Sequence, residues 1–178
     1  MTNKIEKYKP LSVANLLVKM AIDNETPISN LHLQKILYYL QAFYLCKTSS
    51  PIIDAQFSRW PYGPVIKSVY HAFSHYGASA ILEPLKEDGI FFEEGSMPTI
   101  DPSIFGSFED KLVPFLKKLF SMVPWQLVEK THGQKIWSDY EKDTQSYSAP
   151  DYTEEEILEQ FEDIREQLWQ STSGILQH

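Results

Sequence analysis

A mainly α fold is what this sequence predicts: a compact helical domain around one central buried helix at residues 31–47. Three observations predict it. The stretch LHLQKILYYLQAFYLCK is too apolar for a surface helix and too interrupted for a membrane span. Apolar residues recur at helical spacing in the segments before and after it. Capping residues stand where those stripes begin.

The first helix is expected over about Ser12 to Asp23, with Ser12 as N-cap and Val13, Leu16, Leu17, Met20 and Ala21 on one stripe. Pro27 and the turn residues around it separate this helix from the next. In the central helix, Leu33, Ile36, Leu37, Leu40, Phe43 and Tyr44 fall on one side. Tyr38, Tyr39, Leu45 and Cys46 cover most of the rest, which leaves Lys35 and Lys47 as the residues that need water. Ser29 is placed to cap the start. Gln34 and Gln41 stand seven residues apart and so lie within about 20° of each other around the axis. Two amides on a buried stripe must find partners.

A small β-ribbon or irregular excursion is expected near 57–60, where Trp60 precedes Pro61, and near 88–101, where Asp88-Gly89, Glu94-Gly95 and Pro98 punctuate the apolar residues. The third helix is read from Pro64 in its first turn to Tyr76, closed by Gly77 as a left-handed cap, with Tyr70 among its inward residues. A fourth starts near Ser107 and is interrupted at Pro114, which implies a kink or a true start near Val113. A short fifth covers Trp125 to Thr131. The last opens on a capping box from Thr153 to Glu156 and runs to about residue 169, with Ile157, Leu158, Phe161, Ile164, Leu168 and Trp169 on its apolar stripe.

A chain of 178 residues, 43% hydrophobic and 22% charged, suits a single domain over 1–178. No apolar run reaches the roughly 20 residues of a membrane span, and no apolar signal region precedes the first helix, so a cytoplasmic protein is expected. Cys46, the one cysteine, agrees with a reducing compartment. The net charge of -8 is concentrated at Asp151 to Trp169, which holds eight acids and one base; from totals of 24 and 16, that leaves 16 acids against 15 bases elsewhere. No window forms the basic stripe that sequence-independent phosphate binding requires, which argues against nucleic acid as a partner.

His71 and His75 share the i, i+4 spacing of helical zinc sites, but no glutamate follows the first and no third ligand is evident, so they read as solvated histidines. Cys46 with His32, His71 or His132 nearby in space would make a small hydrolase conceivable, while a lone cysteine on an apolar helix reads as core. No Gly-rich phosphate loop, nucleophile elbow or paired carboxylates occur, so neither enzyme nor cofactor is expected. The aromatic residues gather in two adjoining segments, from Tyr38 to Tyr44 and from Trp60 to Tyr76. Tyrosine and tryptophan join a large apolar body to a polar tip and are enriched at interface hot spots, which points to Trp60 and Tyr62 as partner-facing residues.

The series L-x-LQK-I-L-YY-x-Q-x-x-Y at Leu31 to Tyr44 is followed by W-x-YGPV-x-x-x-VY-x-x-F-x-x-YG at Trp60 to Gly77, and then by Leu127, Thr131-His132 and Trp137. Together these resemble the Panacea domain, the phage-associated GepA-like and SocA-like antitoxin domain, over about residues 11–140. Leu40, where the family often has alanine, and Gly133 to Ile136, in place of its acidic-proline run, depart from the pattern. The resemblance implies the antitoxin of a type II toxin–antitoxin system, which neutralises a protein toxin encoded nearby by direct binding. Its alternative is an adaptor that delivers a toxin to a cytosolic protease. Gln34, Lys35, Tyr38, Trp60, Tyr62 and Tyr70 are the candidate toxin-binding residues, with Gly63, Pro64 and Gly77 as structural motif positions. The acidic last helix either steers a basic toxin surface or is a solvated outer face.

Overall fold

A computed structural model describes residues 6–86, 90–92 and 100–162. Helix α1 (Pro10–Asp23) begins two residues earlier than Ser12 because Pro10, with φ preset for a first turn, takes the N-terminal position and Lys9 the cap. Ser12 lies buried inside the helix. Helix α2 (Asn30–Thr48) is the central post, and the Ser29 hydroxyl accepts from the His32 N–H at 3.3 Å, as its sequence position predicts. Leu33, Ile36, Leu37, Tyr38, Tyr39, Leu40, Phe43 and Cys46 are all fully buried. So little of α2 meets water that no single apolar face distinguishes it, and α1, the later helices and a hairpin cover it on all sides.

Beyond α2, strands β1 (Ser58–Trp60) and β2 (Gly63–Val65) form an antiparallel hairpin through the two-residue loop Pro61-Tyr62. The ribbon expected near 57–60 is real, but Pro64 lies in its second strand and starts no helix. Helix α3 begins only at Lys67 (Lys67–Ala72), followed by a 3₁₀ turn at Ser74–Tyr76. The reason is tertiary: the Lys35 ammonium donates to the Pro64 carbonyl at 2.9 Å, and the Ile66 N–H donates to Gln34 Oε1 at 2.9 Å. With those backbone groups held by α2, the chain stays extended until residue 66. Gly77 does take a positive φ of 57°, though with ψ at -126° outside the left-handed helical basin. Tyr70, expected inward, is exposed.

A 3₁₀ segment (Pro102–Phe108) leads into α4 (Glu109–Ser121). The break falls at Gly106, φ 54°, while α4 starts at Glu109 and continues through Pro114. Helix α5 (Pro124–His132) is followed by two short helices that no sequence signal had marked, α6 (Lys135–Ser138) and α7 (Glu141–Gln145). Helix α8 (Glu154–Glu162) opens on the predicted capping box: Thr153 N–H to Glu156 Oε2 at 2.9 Å, and Glu156 N–H to Thr153 Oγ1 at 3.1 Å. Phe161 of α8 packs on Tyr38 and Tyr39 of α2 with ring centroids 6.0 Å apart. The continuation expected to residue 169, and most of the excursion expected at 88–101, lie outside the described residues. Among the described residues no helix is long and apolar enough to cross a membrane.

Candidate partner-binding groove

The hairpin is the wall on which distant parts of the chain converge. From α2, Gln34 and Lys35 hold the backbone of 64–66, as described. From α5, Thr131 closes against Gly63, whose φ is +94°; a Cβ there would stand 2.5 Å from Thr131 Oγ1 and 3.0 Å from Lys35 Cε. From α6, the Trp137 indole N–H donates to the Trp60 carbonyl at 3.0 Å, and His132 stacks on Trp137 at 3.7 Å and 14°. Burial is the main cause that holds the His132 imidazole below its ordinary value.

Arg59, which no sequence signal had singled out, pins the other side of the hairpin. Its side chain is fully buried; Nε donates to the Ile136 carbonyl at 2.7 Å and Nη1 to the Pro150 carbonyl at 2.6 Å. Nη2 pairs with Glu156 Oε2 at 2.7 Å. The guanidinium lies between Tyr140 and Tyr152, 4.2 and 4.4 Å from their ring centroids. Three sides of one cation are thereby used to join β1, α6 and α8.

Outside this wall lies a cleft of about 340 Å³. Its sides are aromatic: Trp60 meets Tyr70 edge-on at 5.0 Å and Tyr147 at 5.6 Å, and Tyr62 meets Trp125 at 5.4 Å. Tyr62, Trp125 and Tyr147 are 56%, 52% and 65% exposed, and Tyr70 37%. Its floor is the start of α2, where Asn30 and Gln34 form a chain of amides: Gln34 Nε2 donates to Asn30 Oδ1 at 3.1 Å, and Asn30 Nδ2 to the Tyr70 carbonyl at 2.9 Å. Among the described residues no charged side chain lines it. A cluster of large rings left in water beside a rigid polar floor is the anatomy of a protein-binding hot spot.

Most of the residues that line this groove lie where the chain is similar to known proteins, with Asn30, Leu31 and Tyr147 outside that stretch. The profile described as "Antitoxin SocA-like, Panacea domain" matches residues 33–138. The chain belongs to the SocA-like Panacea family. It is also 40% identical over 89 residues to "Antitoxin SocA" of Caulobacter vibrioides (strain NA1000 / CB15N), an alignment covering 49% of this chain and 47% of that relative. The chain thus spans about half the length of the curated relative it matches. No solved structure matches.

Within this Panacea domain, the six candidate binding residues divide by burial. Trp60, Tyr62 and Tyr70 form the groove's walls and Gln34, although buried, its floor. Gln34, Lys35 and Tyr38 are interior, and each has a partner inside the protein; the Tyr38 hydroxyl donates to Gln134 Oε1 at 2.7 Å. Lys35, read from sequence as needing water, is fully enclosed, and desolvation lowers its ammonium to about 7. Lys47 is also buried, and desolvation is the main cause that lowers it to about 8. Gly63 and Pro64 are structural, though as strand residues. Trp125 joins the groove from the first turn of α5 and Tyr147 from a turn after α7; neither was among the aromatic residues that the sequence singled out. His71 and His75 are exposed, and among the described residues no group of three or more His, Cys, Asp or Glu is arranged to hold a metal. Cys46 is buried within α2.

Proposed function

We propose that this chain is the antitoxin of a type II toxin–antitoxin pair and that it neutralises a nearby-encoded protein toxin by direct contact through the aromatic groove. The observation that carries this reading is the groove itself: the half-buried ring of Trp60 and the exposed rings of Tyr62 and Tyr70, contributed by the segments that mark the Panacea family, gathered with Trp125 and Tyr147 on a floor formed by the start of α2. The relative's name, Antitoxin SocA, supports the same role. Exposed aromatic anchors around an uncharged cleft suit recognition of a polypeptide.

The test is co-expression of this chain with the adjacent open reading frame. The neighbour alone should arrest growth, and the pair should grow and co-purify. Tyr62→Ala and Trp125→Ala, both at exposed positions, should restore the arrest while leaving the antitoxin folded and abundant. Rescue that disappears in a protease-null host would replace neutralisation by the adaptor reading, in which the toxin is delivered for degradation. A neighbour harmless when expressed alone would remove the antitoxin reading.

A further inference from the structure

The groove is not only aromatic; it is rich in hydrogen-bond donors. Gln34 and Asn30, both more than nine-tenths buried and both at the floor of the cleft, each donate one of their two amide N–H groups inside the protein. The indole N–H groups of Trp60 and Trp125 find no acceptor among the described residues, and the phenols of Tyr62, Tyr70 and Tyr147 stand around the rim. Local acceptors are already engaged: the Trp60 carbonyl by Trp137, the Tyr70 carbonyl by Asn30, and Gln34 Oε1 by the Ile66 N–H.

We infer that this groove receives a proline-rich segment of the partner in extended polyproline II form. This rests on the reading of the groove as the partner site. A proline-rich segment presents carbonyl oxygens and no backbone N–H groups, which suits a cleft whose indole, phenol and amide groups offer donors. Pyrrolidine rings pack between upright aromatic rings, and the preformed helix loses little entropy on binding. The other occupants fit worse. An added β-strand brings an N–H at every residue, and a helix keeps its carbonyls within itself. A lysine or arginine side chain gains from the ring faces but brings donors to donors, with no carboxylate in the lining.

The probe is an acetylated octaproline amide titrated into the full ¹⁵N-labelled chain, followed at the indole N–H signals. Saturable shifts are expected at Trp60 and Trp125, with Trp137 unmoved because its N–H is already held by the Trp60 carbonyl. Trp125→Phe, which keeps a ring and loses one donor at an exposed position, should weaken octaproline about three- to tenfold, the size of one neutral hydrogen bond. An alanine-rich helical peptide and octa-arginine should leave both signals in place. No response to octaproline at millimolar concentration, or an equal response to octa-arginine, overturns the inference. If that failure accompanies toxin capture that Tyr62→Ala still abolishes, the groove remains the partner site and only its ligand class is wrong. Octaproline binding with toxin capture indifferent to Tyr62→Ala would sink the groove reading itself.

Discussion

Gln34 and Gln41 occupy equivalent places on α2, seven residues apart on one buried stripe, yet the two ends of the helix use them differently. Gln41 gives its whole amide to one loop: its Oε1 accepts from the N–H groups of Ile52 and Ile53 at 3.1 and 2.9 Å, and its Nε2 donates to the Ile53 carbonyl at 3.0 Å. It fixes the segment that also pairs with Tyr8 near the N-terminus. Gln34 holds a backbone too, that of Ile66, but its amide continues through Asn30 into the floor of the open groove. Both amides border open clefts, of about 340 Å³ at Gln34 and about 350 Å³ at Gln41, but the first is walled by aromatic rings and the second by Asp151, Glu154 and Glu155. What lies over the amide decides its role, and helical position alone does not.

The largest expected effect is at the point where both kinds of constraint meet. Gly63→Val places a branched side chain at φ +94° against Thr131 and Lys35, and should cost on the order of 3 kcal/mol, read by chemical denaturation. A variant that unfolds at the wild-type midpoint would break the account of the hairpin wall. Next comes the pair itself. Gln41→Ala leaves two buried N–H groups and a carbonyl without partners and should lose about 2–3 kcal/mol; Gln34→Ala should lose about 1–2 kcal/mol. Toxin capture per folded molecule should fall only for Gln34→Ala, and equal losses would erase the contrast between the two ends.

A pH effect sharpens the same comparison. The Lys35 ammonium is lowered by burial to about 7, against about 10.4 in the unfolded chain. Between those values the unfolded chain holds a proton that the folded chain has released, so stability rises with pH across that window and the cost is fully present below it. Lys35→Met should flatten this rise when urea unfolding is compared at pH 6.5 and 9; Lys47 contributes to the slope of both proteins and cancels in the difference. Parallel curves would refute the burial of a titrating Lys35. The smallest effect on stability belongs to the rim: Trp125→Ala should stay within about 0.5 kcal/mol of wild type while toxin capture drops.

Much of the frame was legible in the chain. The apolar saturation of 31–47 announced the post, Ser29 announced its cap, and Thr153 with Glu156 announced the last helix, because each depends on neighbours within a few residues. What local reading missed was settled at long range. Pro64 fits a helix start or a strand equally well by its own chemistry, and only the partners supplied by Gln34 and Lys35 decide between them. Lysine is ordinarily solvated, so a fully enclosed Lys35 leaves no local trace. Arg59 was likewise silent, since its acceptors lie 77 to 92 residues away. The groove was half visible: Trp60, Tyr62 and Tyr70 come from one motif, whereas Trp125 and Tyr147 arrive by tertiary folding.

The guanidinium of Arg59 also sets where this domain can be cut. The family likeness stops at residue 138, but apart from the Ile136 carbonyl the oxygens that neutralise and solvate that cation belong to residues 150, 151 and 156. Trimming the protein to the recognisable stretch would leave that cation the Ile136 carbonyl alone, remove the Tyr140 and Tyr152 rings that flank it, and uncover the rings that Phe161 shields. Any shortened version of the module must therefore keep the chain at least through Phe161.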